Sequence, residues 1–418
     1  FFPFIFYKLQ RMPILLQINT VCNSGSTGRI AEEIANFVIQ KGWKSHIAYG
    51  RGKQLSASIT YHIGRDQDLL INAFAARLFD NDGFVRRKPT EQLVEYIKEI
   101  KPDIIHFHNL HGYYLNLDVL FKYLIASRTP VIWTLHDCWS FTGHCTHFDF
   151  INCTRWMTGC YSCPEKHSYP KSLLLDRSLE NYAHKKELIS QLNILRIVAP
   201  SSWLANLVRS SFLKIFPVAV INNGVNLKQF YPRSTGGLLE RYRLGNRKVV
   251  LGVASIWNER KGLKYLVGLI DYLPADAYQI IIIGVTKAQK KRLPPEIIGI
   301  ERTESIDELA QFYSLADVYV NPTLEDNFPT TNLEALACGT PVVTFKTGGS
   351  VEAIGKEHLC GAIVDVKSVP ALADAVKLIT TKDIAILKKM CIERANKYYN
   401  ASERFKEYLN IYDDILCK

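Results

Sequence analysis

Two carboxylates, Asp326 and Glu334, stand eight positions apart at the ends of the run Asp326-Asn327-Phe328-Pro329-Thr330-Thr331-Asn332-Leu333-Glu334. The run follows an apolar, strand-like segment at residues 318–320 and enters a helical stretch that closes on Gly339-Thr340-Pro341. A helix start leaves main-chain N–H groups unpaired and carries partial positive charge, so the turn Phe328, Pro329, Thr330, Thr331 can hold a diphosphate without a catalytic metal ion. Carboxylates are poor partners for phosphate and good acceptors for sugar hydroxyls. Asp326 therefore suits a transferred sugar and Glu334 a ribose, although each acid taken alone is also ordinary in a turn or a first helical turn. Glu325 adjoins Asp326, and which of the two points inward is left open.

A second strand-loop-helix passage runs from Gly252 to Arg260-Lys261-Gly262. Lys261 stands where a cation meets a phosphate, and a lysine at a helix start is mildly unfavourable against the dipole, which weighs toward a ligand role. In the first half, Gly25-Ser26-Thr27-Gly28-Arg29 follows a strand and opens a helix, where glycines permit close main-chain approach to a phosphate or an acceptor. A plain strand-to-helix turn would look the same. His136 and Asp137 close the strand-like residues 131–135, at the carboxyl edge where ligands of open α/β sheets gather. His136 is read as functional, with Asp137 orienting its ring or positioning an acceptor. His106, His108, Asn109 and His111 are read as cleft lining, and the acidic pairs Asp66/Asp68 and Asp80/Asp82, in polar helix-flanking stretches, as surface.

Five of the ten cysteines fall between Cys138 and Cys163. Cys145, Cys153, Cys160 and Cys163 share one loop-like segment, residues 138–164, and the last two are spaced like a zinc-ligand pair. In a reducing cytosol, four thiolates around a structural zinc explain the crowding better than two bridges, with reduced thiols and disulfides as the alternatives. Cys138 and His144 are spare ligands.

A repeated strand–helix rhythm must position these groups. Apolar runs at 14–18, 45–49, 104–107, 131–135, 197–199 and 218–221 alternate with amphipathic stretches, as a doubly wound parallel sheet requires. A polar, glycine-containing passage at 231–246 separates them from a second series at 248–253, 279–283, 317–320, 341–345 and 361–364. At 418 residues the chain exceeds what one core usually organises. Residues 12–230 are expected to form one Rossmann-like domain carrying the Cys-rich loop, residues 231–396 a second, and residues 397–418 a helix packing back on the first. The ordinary share of apolar and charged residues excludes a disordered chain. A net charge of +11 suits nucleic acid, an anionic membrane surface or phosphorylated small molecules, and does not choose among them. The apolar opening, residues 1–7, is far shorter than the ~20 residues of a membrane span and lacks the flanks of a secretory signal. Residues 1–11 are read as upstream translation or an unstructured extension.

The order of these motifs resembles glycosyltransferase family 4, whose enzymes have the GT-B fold. The resemblance rests on Asp326 with Glu334, Lys261-Gly262, Gly348-Gly349 with Glu352, and Asn223-Gly224-Val225. It implies an α/β protein of two Rossmann-like, doubly wound domains facing across a cleft. It also implies a UDP- or GDP-sugar donor held by Gly25, Gly28, Arg29, Arg260, Lys261, Phe328, Pro329, Thr330, Thr331 and Glu334. His136, Asp326, Glu334 and Lys261 would be catalytic, with retention at the anomeric carbon and no active-site metal. Two departures stand out: Asp326 is one methylene shorter than the family's glutamate, and Ser255 replaces a basic residue for which Arg260 could substitute. The combination of His136-Asp137-Cys138-Trp139, the cysteine loop and Glu325-Asp326-Asn327-Phe328-Pro329 is similar to transferases of bacterial exopolysaccharide, capsule and lipopolysaccharide O-antigen assembly, the colanic-acid type among them. That implies a lipid-linked saccharide acceptor and a cytoplasmic enzyme without a nucleic-acid partner. It could touch the inner membrane peripherally through Arg86-Arg87-Lys88 or Lys185-Lys186. The competing readings are a GT-B sugar-nucleotide epimerase and a zinc-stabilised nucleic-acid-binding protein, the latter leaving the turn 326–334 unexplained.

Overall fold

The computed structural model describes residues 11–355 and 357–417, apart from the side chains of residue 53 and of several residues between 66 and 71. Residues 1–10 of the opening segment lie outside the described residues. Arg11 is described, and its guanidinium donates to Lys101 O at 2.7 Å.

Seven parallel strands form the first sheet: β1 (Ile14–Cys22), β2 (Lys44–Lys53), β3 (Ile59–His62), β4 (Ile104–Phe107), β5 (Val131–Thr134), β6 (Leu195–Ala199) and β7 (Val218–Val220), in the order β3-β2-β1-β4-β5-β6-β7. Six form the second: β8 (Lys248–Val253), β9 (Tyr278–Ile283), β10 (Ile297–Ile300), β11 (Val318–Asn321), β12 (Val342–Phe345) and β13 (Gly361–Val364), in the order β10-β9-β8-β11-β12-β13. The central strands β4, β5, β11 and β12 are buried throughout, as helices on both faces require. In each sheet the strand order reverses once, between β1 and β4 and between β8 and β11. A crevice opens beyond the carboxyl ends of the strands at such a point.

The chain crosses between the domains twice, side by side. Val225 N–H donates to Tyr399 O at 2.7 Å and Ala401 N–H to Val225 O at 3.1 Å. A Cβ on Gly224 would stand 2.4 Å from Ala401 Cα, so the two passes can touch only with glycine there. The helix Ile384–Tyr398 packs Cys391 and Ala395 into the second domain. The final helix, Ala401–Leu416, instead lays Phe405, Tyr408, Tyr412 and Ile415 against Leu15, Ile30, Ile104 and Ile132 of the first. Burying each large apolar side chain contributes roughly 1.5–3 kcal/mol, which fastens the tail to the far domain.

This helix also completes a buried polar chain. Tyr412 OH meets His106 Nδ1 at 2.7 Å, while His106 Nε2 meets Thr134 Oγ1 at 2.8 Å and Thr134 Oγ1 donates to Tyr408 OH at 3.1 Å. Thr134 gives its proton to Tyr408, so His106 Nε2 must donate to Thr134 and His106 Nδ1 must accept from Tyr412. Tyr412→Phe orphans a buried acceptor and should cost about 1–3 kcal/mol in chemical unfolding of the full chain. An unchanged unfolding free energy would refute the assignment.

Candidate active site

Each loop at the carboxyl edge of the second sheet brings one group to the cleft. After β11 the chain makes a buried turn, residues 322–329, and enters the helix Thr330–Ala337. Among the described residues no side chain caps this helix start, which leaves its first N–H groups facing the cleft. Gly348 and Gly349, from the loop after β12, close over the turn. Gly349 N–H donates to Asp326 O at 2.9 Å, and a Cβ would lie 2.1 Å from Asp326 O at Gly348 or 1.9 Å from Asn327 O at Gly349. The glycine pair is what allows the two main chains to meet.

Asp326 and Glu325 take opposite directions. Asp326 Oδ2 pairs with Lys261 Nζ at 2.5 Å. Burial alone would raise the Asp326 carboxyl, but the charges of Lys261 and Arg260 more than reverse this and leave it below the ordinary carboxylate range. Arg260 Nη1 donates to Glu325 O at 2.5 Å. The Glu325 side chain turns away from this ion pair and accepts from Phe148 N–H (3.3 Å), Asp149 N–H (2.8 Å) and Phe150 N–H (3.1 Å) of the Cys-rich loop. Burial pushes its carboxyl up to about 7. Asp326 is thus the acid paired with Lys261, and Glu325 is a tie between domains. Glu352 is a second tie, accepting from Ser202 and Trp203 N–H at 2.9 Å each at the start of the helix Ser202–Ser210.

Glu334, one helical turn inside, is buried; its Oε2 accepts from Tyr313 OH at 3.0 Å. Burial raises its carboxyl, opposed mainly by the charge of Arg29 from the first domain. Arg29, Glu334, Thr330 and Ser26 line one pocket between the domains. The glycines before Arg29 differ in their reasons. Gly25 has φ +61°, in the left-handed region, while a Cβ on Gly28 would come within 3.1 Å of Asn23 N and Val21 Cγ2. Phe328 is not a surface of the pocket: its ring packs on Tyr399, and its carbonyl accepts from Asn223 Nδ2 at 3.0 Å. Pro329 precedes the helix start with φ −68°, and Thr331 is only partly buried on its first turn.

The opposite wall is a ladder of histidines. His136 Nε2 meets His108 Nδ1 at 3.0 Å, His108 Nε2 meets Gln17 Oε1 at 2.9 Å, and Gln17 Nε2 donates to Ala31 O at 2.8 Å. Burial pushes His136 down to about 4 and His108 well below its usual value, so both are neutral near pH 7. The main chain of His136 accepts from Asn327 Nδ2 across the cleft. Asp137 does not hold His136, the first of the two roles expected for it. Its carboxylate is occupied by His111 Nε2 at 2.7 Å and Trp139 N–H at 3.0 Å, and His108 holds His136 instead.

Other expectations change with burial. Asp80 and Asp82 are interior, not surface. Asp80 accepts from Arg177 N–H at 2.8 Å and pairs with His144, while Asp82 accepts from Gly112 N–H (3.0 Å) and Tyr113 N–H (2.8 Å). The side chains of Asp66 and Asp68 lie outside the described residues. Of the two basic clusters, Arg86 and Lys185 are buried, while Arg87, Lys88 and Lys186 are exposed. Arg86 is buried on Arg65 O at 3.2 Å, and Lys185 is buried on Trp139 O at 2.6 Å and over its ring at 3.9 Å.

Cys145, Cys153, Cys160 and Cys163 are free thiols that border one small pocket beside Phe148 and Trp156. The donor chemistry suits zinc, but the arrangement does not. Among the described residues no three His, Cys, Asp or Glu side chains are placed to hold a metal ion, and Cys160 Sγ accepts from Gly143 N–H at 3.1 Å. The structure instead gives the loop a part in the cleft that its cysteines hid. His147, two residues after Cys145, bonds Thr146 Oγ1 at 2.9 Å and feels the charges of Arg260, Asp326 and Lys261, with burial pushing it down to about 3. The only sequence signal for it was its place next to the cysteines.

Two Rossmann-like sheets with facing switch points, joined by a chain that crosses back at its end, define a GT-B glycosyltransferase. Residues 27–229 match "Glycosyltransferase Family 4" and residues 247–382 match "Glycosyl transferases group 1", and the chain belongs to this family of enzymes. It is 25% identical, over 96% of its length and 100% of the other's, to WcaC of Escherichia coli K12, named for colanic acid biosynthesis. Its fold is similar to that of sucrose-phosphate synthase from Thermosynechococcus elongatus, with a TM-score of 0.69, 18% identity and coverage of 97% of this chain and 100% of that one. It is also similar to Anabaena HepE solved with UDP-glucose, with a TM-score of 0.68, 14% identity and coverage of 96% and 99%.

The Glu325 tie carries a pH dependence. Its folded-state pKa near 7 lies above the ordinary 4.5, so the folded protein keeps a proton that the unfolded chain has released. Stability linked to this group is therefore full below about pH 4.5 and is lost as pH rises through about 7. Glu325→Gln, which has no titrating proton, should flatten that part of the curve of Tm against pH; parallel curves for the two proteins would count against the assignment.

Proposed function

We propose that this glycosyltransferase moves a sugar from a nucleotide-sugar donor to a lipid-linked saccharide, with retention of anomeric configuration, in the assembly of a bacterial surface polysaccharide. The observation that carries the reading is the convergence of Lys261, Asp326 and Glu334 from one domain with Arg29 and His136 from the other, around an uncapped helix start. HepE, a structural neighbour, was solved with UDP and with UDP-glucose, which supports a UDP-sugar donor. The name of WcaC supports a polysaccharide product.

On this reading the ribose hydroxyls donate to Glu334, and the diphosphate lies on the N–H groups of Thr330 and Thr331 with Lys261, Arg29 and Arg260 nearby. Lys261 exchanges its Asp326 partner for phosphate, and Asp326 then accepts from hydroxyls of the transferred sugar. As the bond from the anomeric carbon to the phosphate oxygen breaks, the N–H groups and Lys261 take up the charge of the leaving diphosphate. The acceptor oxygen bonds to the same face of that carbon, and its proton passes to the departing phosphate. His136, neutral and held by His108, forms the wall beside the sugar. The residues in this scheme need no metal ion.

Glu334→Ala and Lys261→Ala should each lower turnover by ~100-fold or more, the scale for losing transition-state charge stabilisation, while leaving the fold intact by circular dichroism. Wild-type rates in both variants would remove the site assignment. Incubation of labelled donor without acceptor should return the donor unaltered; conversion to a different nucleotide sugar would instead identify an epimerase.

A further inference from the structure

The transfer mechanism leaves His147 without a part, yet the fold fixes this residue opposite Asp326. Phe148 N–H and Asp149 N–H are held by the carboxylate of Glu325, one residue before Asp326. Asn327, one residue after it, donates to the carbonyl of His136. Asp326 is therefore bracketed by contacts to residues 136 and 148 of the other domain, and His147 stands directly before the second of them. Behind it the loop is anchored again, with Cys138 N–H donating to Thr146 O at 3.0 Å. The half-buried ring lies within reach of the charges of Arg260, Asp137, Asp326 and Lys261.

The protons of the loop settle which way this ring can bond. Thr146 has a single hydroxyl proton and gives it to Tyr169 O at 3.2 Å. Toward the imidazole its oxygen can then only accept, so the 2.9 Å contact with His147 Nδ1 is an N–H donated by the ring. Burial and the charges of Arg260 and Lys261 keep the ring neutral. A neutral imidazole protonated on Nδ1 carries a bare lone pair on Nε2, and among the described residues no donor meets it.

A bare lone pair at the rim of a polar cleft calls for a donor from the ligand. Asp326 presents a second acceptor, since an ionised carboxylate has no proton to give. In the proposed mechanism Lys261, Arg29 and Arg260 are drawn to the diphosphate, which leaves the sugar facing acceptors. A hydroxyl satisfies them. A sugar carboxylate would bring a third acceptor and a charge of the same sign as Asp326, and a like charge at close range is disfavoured.

We propose that His147 is a specificity-determining residue of this glycosyltransferase: its Nε2 accepts from a hydroxyl of the transferred sugar, so that the site takes an uncharged hexose and excludes a hexuronic acid. The inference rests on the nucleotide-sugar reading and deepens it by naming the class of sugar.

Calorimetric titration of the full chain tests it, with UDP, UDP-glucose, UDP-galactose and UDP-glucuronate in one series and GDP, GDP-mannose and GDP-mannuronate in the other. In the wild type each uronate should bind more weakly than the hexoses on the same base. His147→Phe should weaken the best-bound hexose nucleotide about 10-fold, the scale of a hydrogen bond left unmade, while the matching nucleoside diphosphate binds as before and Tm is unchanged. His147→Gln, whose side-chain oxygen can accept, should recover part of the loss. An unchanged ratio of hexose-nucleotide to diphosphate affinity in His147→Phe overturns the proposal, as does a uronate bound as tightly as the hexoses on its base. Equal weakening toward the diphosphate and the hexose nucleotide would make the residue a support of the loop and overturn it too. A wild type that binds neither nucleoside diphosphate would instead overturn the nucleotide-sugar reading itself, and this inference with it.

Discussion

The turn after β11 is gripped from three directions, and both the placement of the domains and the shape of the cleft depend on that grip. From its own domain, Gly349 donates to Asp326 O at a separation that no Cβ would tolerate. From the Cys-rich loop, three N–H groups converge on Glu325; from the chain between domains, Asn223 donates to Phe328 O. Asn327 reaches back to the carbonyl of His136. Each hydrogen bond of this kind contributes about 0.5–1.5 kcal/mol, and together these contacts can fix an orientation that a wet cleft would otherwise leave loose. Asp326 lies between the gripped residues, so whatever sets the domains also sets the distance from this carboxylate to the histidine wall.

That wall is ordered by a proton chain. With Gln17 Nε2 committed to Ala31 O, its Oε1 must accept from His108 Nε2. His108 is neutral, so its Nδ1 accepts and His136 Nε2 must donate, leaving the lone pair of His136 on Nδ1. A glutamine on β1, deep in the sheet, thereby selects the tautomer of a side chain at the cleft. His136 is accordingly an acceptor of hydrogen bonds near neutrality and carries no positive charge to offer a phosphate.

Much of this was legible because buried parallel strands announce themselves as apolar runs, and the loops that follow them carry the polar groups. The strands missed from sequence, β3 and β10, are both sheet edges. β3 is the half-exposed Ile59-Thr60-Tyr61-His62, and β10 is a four-residue run with a glycine inside it. Asp80, Asp82, Arg86 and Lys185 were misplaced for a different reason. Their composition is that of a surface, and only long-range partners such as Gly112 N–H, Arg65 O and Trp139 O make them interior. His147 and Glu325 were obscured by stronger neighbours, the cysteines and Asp326. Spacing along the chain cannot say that Glu325 turns away to reach residues 148–150.

The pocket holds one ion pair, Lys261 with Asp326, and sets the exposed Arg29 where its charge acts on the buried Glu334. A buried pair is costly to break from one side, because the partner left behind is an uncompensated charge. If a free phosphate took Lys261, Asp326 would be stranded in a site where burial already works against its ionised form. A ligand that brought sugar hydroxyls along with its diphosphate would satisfy both partners at once. On the proposed function, discrimination between a sugar nucleotide and the bare nucleotide would then follow from what each ligand leaves unpaired, more than from any contact it adds.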